Sequence, residues 1–383
     1  MFSRRLPANP TPNEWSARLE AVRAAGPVLD LVDQNPTRTG LSDAAGALAL
    51  LADPAAARYE PDAAGLRAAR EAVAAYYADR GMAVDARDVV LASGTSEAYS
   101  HLFRVLCDPG DRVLVPAPGY PLLPPLAALD AVELATYALD PARGWRPDVG
   151  AIAAMLDAHT RAVVVVQPNH PTGTGFDAGE LAALDAACAS RGVAVIADEV
   201  FGDFGWDTPV PGALGDRAAA TFVLQGLSKL CGLPQLKLSW IALAGPADAR
   251  ARAREALEWV ADAYLTVGGP VQHALPALLA RRHAFLGRVR ARVAANRAAL
   301  GAALAACGAE LLPAAAGWTA LVRLPDGVDA DALALALLGR GVAVHPGYFY
   351  DLDDGRHLVL SLVVRPETLA AGAAILVDEV RRR

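Results

Sequence analysis

Short, almost wholly apolar runs set between longer helix-patterned stretches constrain the fold of this chain more than any other feature. They are Val89–Leu91, Arg112–Val115, Ala162–Val166, Val193–Ala197, Thr221–Leu224 and Leu238–Leu243. A strand with one wet face alternates apolar and polar residues, so a run that is apolar at both parities has to be buried on both faces. Helices must then cover both sides, and the expected fold class is α/β with a mainly parallel sheet. The helical segments have the spacing for that task. Glu14–Ala25 reads as a short amphipathic helix after a Pro/Asn-rich start, and Asp62–Arg80 as a stronger one stopped by Gly81. Pro246–Ala306 is helical apart from a break at Thr266–Pro270, and 281–306 reads as one long connecting helix.

The last part of the chain changes character. Strand-like segments at Trp318–Leu324, Val342–His345 and Leu358–Leu362 sit between helices at Asp329–Leu338 and Pro366–Arg381. A chain of 383 residues is too long for one small core. The expected organisation is an N-terminal arm over 1–45 that returns to a small domain, a large domain over 46–280, and a connecting helix with the small α+β domain over 281–383.

Hydrophobic residues make up 54% and charged residues 20% of the chain, the balance of a well-buried globular protein. A net charge of −7 argues against a general nucleic-acid binder, which needs a positive face for phosphate. No apolar run approaches the roughly 18 residues of a membrane helix, and residues 1–7 lack the apolar centre of a signal peptide. Cys107, Cys188, Cys231 and Cys307 form no CxxC pair and no cluster with histidine, so no metal site is expected. They read as buried free thiols in a reducing cytoplasm; oxidation of Cys231, two residues past Lys229, is the lesser alternative.

The polar residues that break this apolar background fall at the ends of runs. Asp198-Glu199 closes one strand, and Lys229 follows another within Gly226-Leu227-Ser228-Lys229-Leu230-Cys231-Gly232-Leu233-Pro234-Gln235-Leu236-Lys237. Pro168-Asn169-His170-Pro171-Thr172-Gly173 lies upstream, and Ser93-Gly94-Thr95-Ser96-Glu97-Ala98 follows a strand and opens a helix. Taken singly, a lysine after a strand is usually a surface charge, an aspartate there a cap, and a Ser/Thr helix start a common cap. In this order, however, the segments resemble the active site of fold-type I pyridoxal-phosphate enzymes, the class I/II aminotransferase family, and the resemblance runs over nearly the whole chain.

The resemblance implies a role for each residue. Lys229 would hold pyridoxal 5'-phosphate as a Schiff base and later shuttle a proton, and Asp198 would pair with the pyridine nitrogen. Ser228 and Lys237 would grip the phosphate, with Gly94, Thr95 and Ser96 as a cup at the helix N-terminus. Tyr120 would stack on the ring. Tyr59 would reach the phosphate of a neighbouring subunit, which implies a homodimer.

The chain also departs from the family pattern. Lys237 stands where an arginine is usual, so a point charge replaces a bidentate fork, and Gly226 stands where a serine is frequent. Phe201 replaces a tyrosine that bonds O3′ of the cofactor. His170 replaces an asparagine that donates to the same oxygen; a neutral histidine still donates one N–H, and a charged one would offset the lost tyrosine. Val359 replaces the arginine that clamps a substrate carboxylate, with Arg38, Arg356 and Arg365 as possible substitutes. The expected activity is transfer of an amino group between an amino acid or amine and a keto acid. The alternatives are β-elimination, or a cyclase, oxidase or decarboxylase on the same scaffold. A DNA-binding regulator is disfavoured, because the residues before the first large-domain helix are too few and insufficiently basic.

Overall fold

The structure is a computed structural model that describes residues 3–6, 11–352 and 354–383. The Pro/Asn-rich start of the arm lies partly outside these residues. At the centre is an eight-stranded sheet, ordered in space Val89–Ala92, Ser239–Ala244, Thr221–Gly226, Ala194–Asp198, Thr160–Val166, Arg112–Ala117, Glu133–Asp140 and Arg146–Pro147. From Thr221–Gly226 to Glu133–Asp140 all neighbours are parallel. Ser239–Ala244 is antiparallel to both of its neighbours, and Arg146–Pro147 closes the far edge antiparallel. Every apolar run expected to be a strand lies in this sheet.

Both parities of those runs are buried, against different helices. Val163, Val165 and Val195 pack with Leu181, Leu184 and Cys188 of helix Ala178–Arg191. Val164, Ile196, Phe222 and Leu224 pack on the other face with Tyr99, Leu102 and Phe103 of helix Thr95–Leu106. Each such side chain contributes roughly 1.5–3 kcal/mol on burial, so neither face tolerates a polar substitution.

The winding of the sheet decides where a ligand can bind. After Arg112–Ala117 the chain moves outward to Glu133–Asp140, then returns to the other side of Arg112–Ala117 as Thr160–Val166. This reversal leaves a crevice beyond the carboxyl ends of those two strands, the general place for ligands in open α/β sheets.

A second, four-stranded sheet orders Glu310–Leu311, Thr319–Arg323, His357–Ser361 and His345–Pro346, with helices Ala330–Gly339 and Pro366–Arg381. The N-terminal arm joins this part: Leu29 and Asp30 pair in parallel with Val342 and Ala343. Trp15 of helix Glu14–Ala25 sets its ring edge-on to His345 and Phe349. Helix Arg282–Leu304 connects the two sheets along the chain and packs on helix Pro366–Arg381.

One helix starts later than its apolar spacing suggests. The segment expected over 62–80 is helical only for Arg67–Asp79. Gly65 has φ +91, outside the helical region, and a Cβ there would lie 2.5 Å from the Leu91 side chain. The turn therefore holds the chain tight against the first strand before the helix begins. The break expected over 266–270 lies a few residues earlier, over 263–268, since one helix ends at Asp262 and the next runs from Gly269 to Ala280. Among the described residues no helix is long and apolar enough to cross a membrane.

Candidate active site

The carboxyl ends of the parallel strands and the start of Ser239–Ala244 meet at one edge of the sheet. There they enclose a cavity of about 540 Å³ lined by Lys229, Asp198, His170, Tyr120, Thr95 and Ser228, among others. Lys229 sits on the single helical turn Leu227–Leu230 that follows Thr221–Gly226. Its Nζ lies 5.6 Å from the ring centroid of Phe201 and 5.2 Å from that of Trp318. Aromatic faces attract a cation but solvate it less than water does. Burial accordingly lowers the Lys229 amine to about 8, with Asp198 opposing the shift. Part of the population is then neutral and nucleophilic near physiological pH.

Asp198, at the end of Ala194–Asp198, is 8% exposed. Its Oδ2 accepts a hydrogen bond from the Tyr99 hydroxyl at 3.0 Å and its Oδ1 one from the Val200 backbone N–H at 3.1 Å. Burial raises the carboxyl to about 6, while these hydrogen bonds and Lys229 pull the other way. Neighbouring Glu199 is structural. Its Oε1 accepts from the Ala213 backbone N–H at 2.6 Å, and its Oε2 lies 3.5 Å from Arg80.

His170 is buried, stacked on Phe201 with centroids 5.7 Å apart, and edge-on to Tyr120 and Tyr350. Burial lowers its pKa to about 3, assisted by Lys229 and His345. The sequence left open a charged imidazole here; the structure makes it neutral. Its Nε2 is buried without a hydrogen-bond partner among the described residues.

At the N-terminus of helix Thr95–Leu106 no side chain caps the backbone. The Gly94 N–H donates to Ser239 Oγ at 3.2 Å, and the Ser93 N–H to Glu97 at 2.6 Å. A Cβ on Gly94 would lie 2.9 Å from Lys237 Nζ, so Lys237 brings its charge to this helix end. Lys237 is left-handed at φ +49, a conformation that costs a non-glycine residue about 1–3 kcal/mol. Gly94, Ser96 and Lys237 stand beside the cavity lining rather than in it.

Other sequence candidates lie elsewhere. Tyr59 is 80% exposed and borders a separate hollow with His101 and Gln272. Val359 is buried in the second sheet. Arg356 pairs with Asp326, and Arg365 lies against Gly40. Of the three arginines only Arg38 borders a hollow shared with Lys229, and it pairs with Asp33 at 2.9 Å. Cys231 is buried, as expected, and its thiol is pushed up to about 12, so it carries little reactive thiolate and the oxidation alternative falls away.

Several site residues escaped the sequence reading. Tyr99 follows Thr95 by one helical turn and so shares its face, a signal that was present. His345, Tyr350 and Trp318 come from the second sheet and its connections, and no local pattern announces them.

The model of the family described as "Aminotransferase class I and II" matches residues 31–372. The chain belongs to this family. The glutamate-pyruvate aminotransferase AlaA of Escherichia coli K12 is 30% identical over 221 residues, which covers 57% of this chain but only 55% of that protein. The alanine aminotransferase of Mycobacterium tuberculosis H37Rv is 28% identical over 313 residues, 80% of this chain and 68% of its own. Among solved structures, an alanine aminotransferase from Pyrococcus furiosus superposes with a TM-score of 0.90 at 20% identity, covering 100% of both chains. An aminotransferase from M. tuberculosis gives 0.86 at 23%, again over 100% of both. At these identities the structural likeness establishes the fold.

Proposed function

We propose that this chain is a pyridoxal-phosphate-dependent aminotransferase, with Lys229 as the amine that carries the cofactor. The observation that carries this reading is the meeting of a desolvated lysine and a buried aspartate in one crevice beside a cation-flanked helix N-terminus. The residues present fit the cofactor. His170 Nε2 is a buried polar atom without a partner, and the cradle at Gly94 is one that a side chain would fill.

When bound, the cofactor supplies an aldehyde that condenses with amines and a ring that takes up electrons released at the substrate α-carbon. The protein does the rest. Lys229 Nζ would hold the aldehyde at rest and would move the proton at the substrate α-carbon. Asp198 keeps its negative charge against the ring nitrogen and is oriented for this by Tyr99. Thr95, Ser96, Ser228 and Lys237 take the phosphate, and Tyr120 covers the ring. His170 offers one N–H to O3′, while Phe201, in the tyrosine position, offers none.

Borohydride treatment of the purified protein is expected to fix the cofactor on Lys229, located by peptide mass. An amino acid or amine is expected to yield the matching carbonyl product and the aminated cofactor. Release of ammonia or a thiol instead would move the activity to β-elimination.

Two variants test individual roles. Gly94→Ala is expected to weaken cofactor binding about tenfold, measured by absorbance titration, because the new methyl pushes Lys237 aside and φ +140 suits glycine. His170→Ala is expected to raise the pH midpoint of the cofactor's absorbance change by about one unit, through loss of a donor to the phenolate. Coincident titration curves would remove His170 from this role.

The exposed ring of Tyr59 suits a partner subunit's phosphate, and we take the enzyme to be a homodimer. We divide the chain at about residues 45 and 280, and place the protein in the cytoplasm.

A further inference from the structure

Among the described residues the cavity lining offers no spare cation for the polar end of a substrate. Among the described lining residues Lys229 is the sole lysine or arginine, and the proposed reaction uses its amine. Arg38 is paired with Asp33 in the adjoining hollow, and Asp198 contributes negative charge to the cavity. A carboxylate entering there would leave water without finding a counter-ion, a transfer that proteins avoid.

The second sheet brings a different polar group to the cavity. The strand register sets His345 directly opposite Val359, and His345 lines both the main cavity and the adjoining hollow. Its Nδ1 pairs with the Tyr350 hydroxyl at 2.9 Å, and its ring stacks on Phe349 with centroids 4.7 Å apart. These contacts fix the imidazole and leave Nε2 as its remaining hydrogen-bonding atom. Burial holds His345 at about 4, so it is neutral at physiological pH. The wall of the same cavity includes an apolar set, Val115, Leu122, Leu123, Pro124 and Leu134.

We propose that His345, oriented by Tyr350, binds the polar end of the substrate as a neutral hydrogen-bonding group. The enzyme would therefore take amines that carry an uncharged carbonyl or hydroxyl and an apolar body in place of a free carboxylate. This substrate class rests on the reading of Lys229 as the reactive amine.

The test uses a pair of unreactive ligands of matched shape, 3-phenylpropanamide and 3-phenylpropanoate, titrated calorimetrically into the holoenzyme. The amide is expected to bind at least about tenfold more tightly than the acid. His345→Leu is expected to weaken the amide about fivefold and leave the acid unchanged, while His345→Gln, which keeps a neutral donor and acceptor, restores part of the loss. Acid binding as tight as the amide, no amide binding, or an amide affinity unmoved in His345→Leu would each overturn the proposal. If the acid binds tightly and Arg38→Ala removes it, Arg38 holds the carboxylate and the proposal falls. Neither ligand carries an amine, so turnover is not required. Borohydride labelling of Lys229 in the same preparation separates the two levels: label without amide preference rejects the substrate class alone, and no label rejects the reaction as well.

Discussion

Lys229→Ala is expected to lower turnover by at least about 10⁴-fold and to abolish borohydride labelling, with folding unharmed. On the proposed reading the lost rate combines the covalent attachment with a proton transfer, each worth orders of magnitude. The intact fold follows from the surroundings of the amine. Its flanking contacts are the rings of Phe201 and Trp318, and among the described residues it makes no ion pair, so the substitution breaks no close polar contact; Asp198 loses a nearby positive charge but keeps its bonds to Tyr99 and Val200. A desolvated ammonium is itself a burden on the fold, and its removal is not expected to lower Tm. Circular dichroism with thermal melting checks this. A variant that retains turnover would place the chemistry elsewhere.

Asp198→Asn should separate stability from activity. The carboxyl titrates at about 6 in the fold and at 3.8 as the unperturbed group. Below about pH 4 it is protonated in both states and adds nothing. Between 4 and 6 the unfolded chain releases its proton first, so the folded state binds more protons and stability falls as pH rises. Above 6 the full penalty stands, about 3 kcal/mol for a shift of this size. Asparagine carries no charge, and its amide can still bond the Tyr99 hydroxyl and the Val200 N–H. The cofactor-free variant is therefore expected to be more stable at pH 7 by about 1–3 kcal/mol, with the gain vanishing near pH 4. Activity should fall about 10²- to 10³-fold, because asparagine cannot hold the ring nitrogen protonated. Denaturant unfolding at the two pH values and steady-state kinetics measure both halves. Lower stability at pH 7 would mean that Asp198 is a structural anchor.

The sequence was most readable where burial leaves no choice. Val163 to Val165 announce a strand because both faces are covered, and helices Glu14–Ala25 and Pro366–Arg381 have the bounds that their spacing suggests. Glu133–Asp140 escaped because it lies near the sheet edge, where charged and small residues are tolerated and the apolar run dissolves. The start of helix Arg67–Asp79 was misplaced because Gly65 answers to a distant neighbour, Leu91. The same division holds for the site. Lys229, Asp198 and Thr95 stand at the ends of legible strands, and a strand end is where a parallel sheet presents its chemistry. The neutrality of His170 and the place of His345 depend on aromatic rings delivered from remote parts of the chain.

The cup formed by Gly94 and Lys237 has a consequence for how the protein is made. Gly94 leaves the ribosome long before Lys237, and the intervening segment supplies every parallel strand of the central sheet. His345 and Tyr350 emerge later still. Contacts this remote in sequence form slowly, after the loops between them have closed. On the proposed reading no N-terminal fragment ending before Lys237 can capture the cofactor, and arrival of the ligand marks a chain made beyond the site and folded around it. A stalled chain ending before Lys237 should stay colourless, and one released beyond Tyr350 should turn yellow.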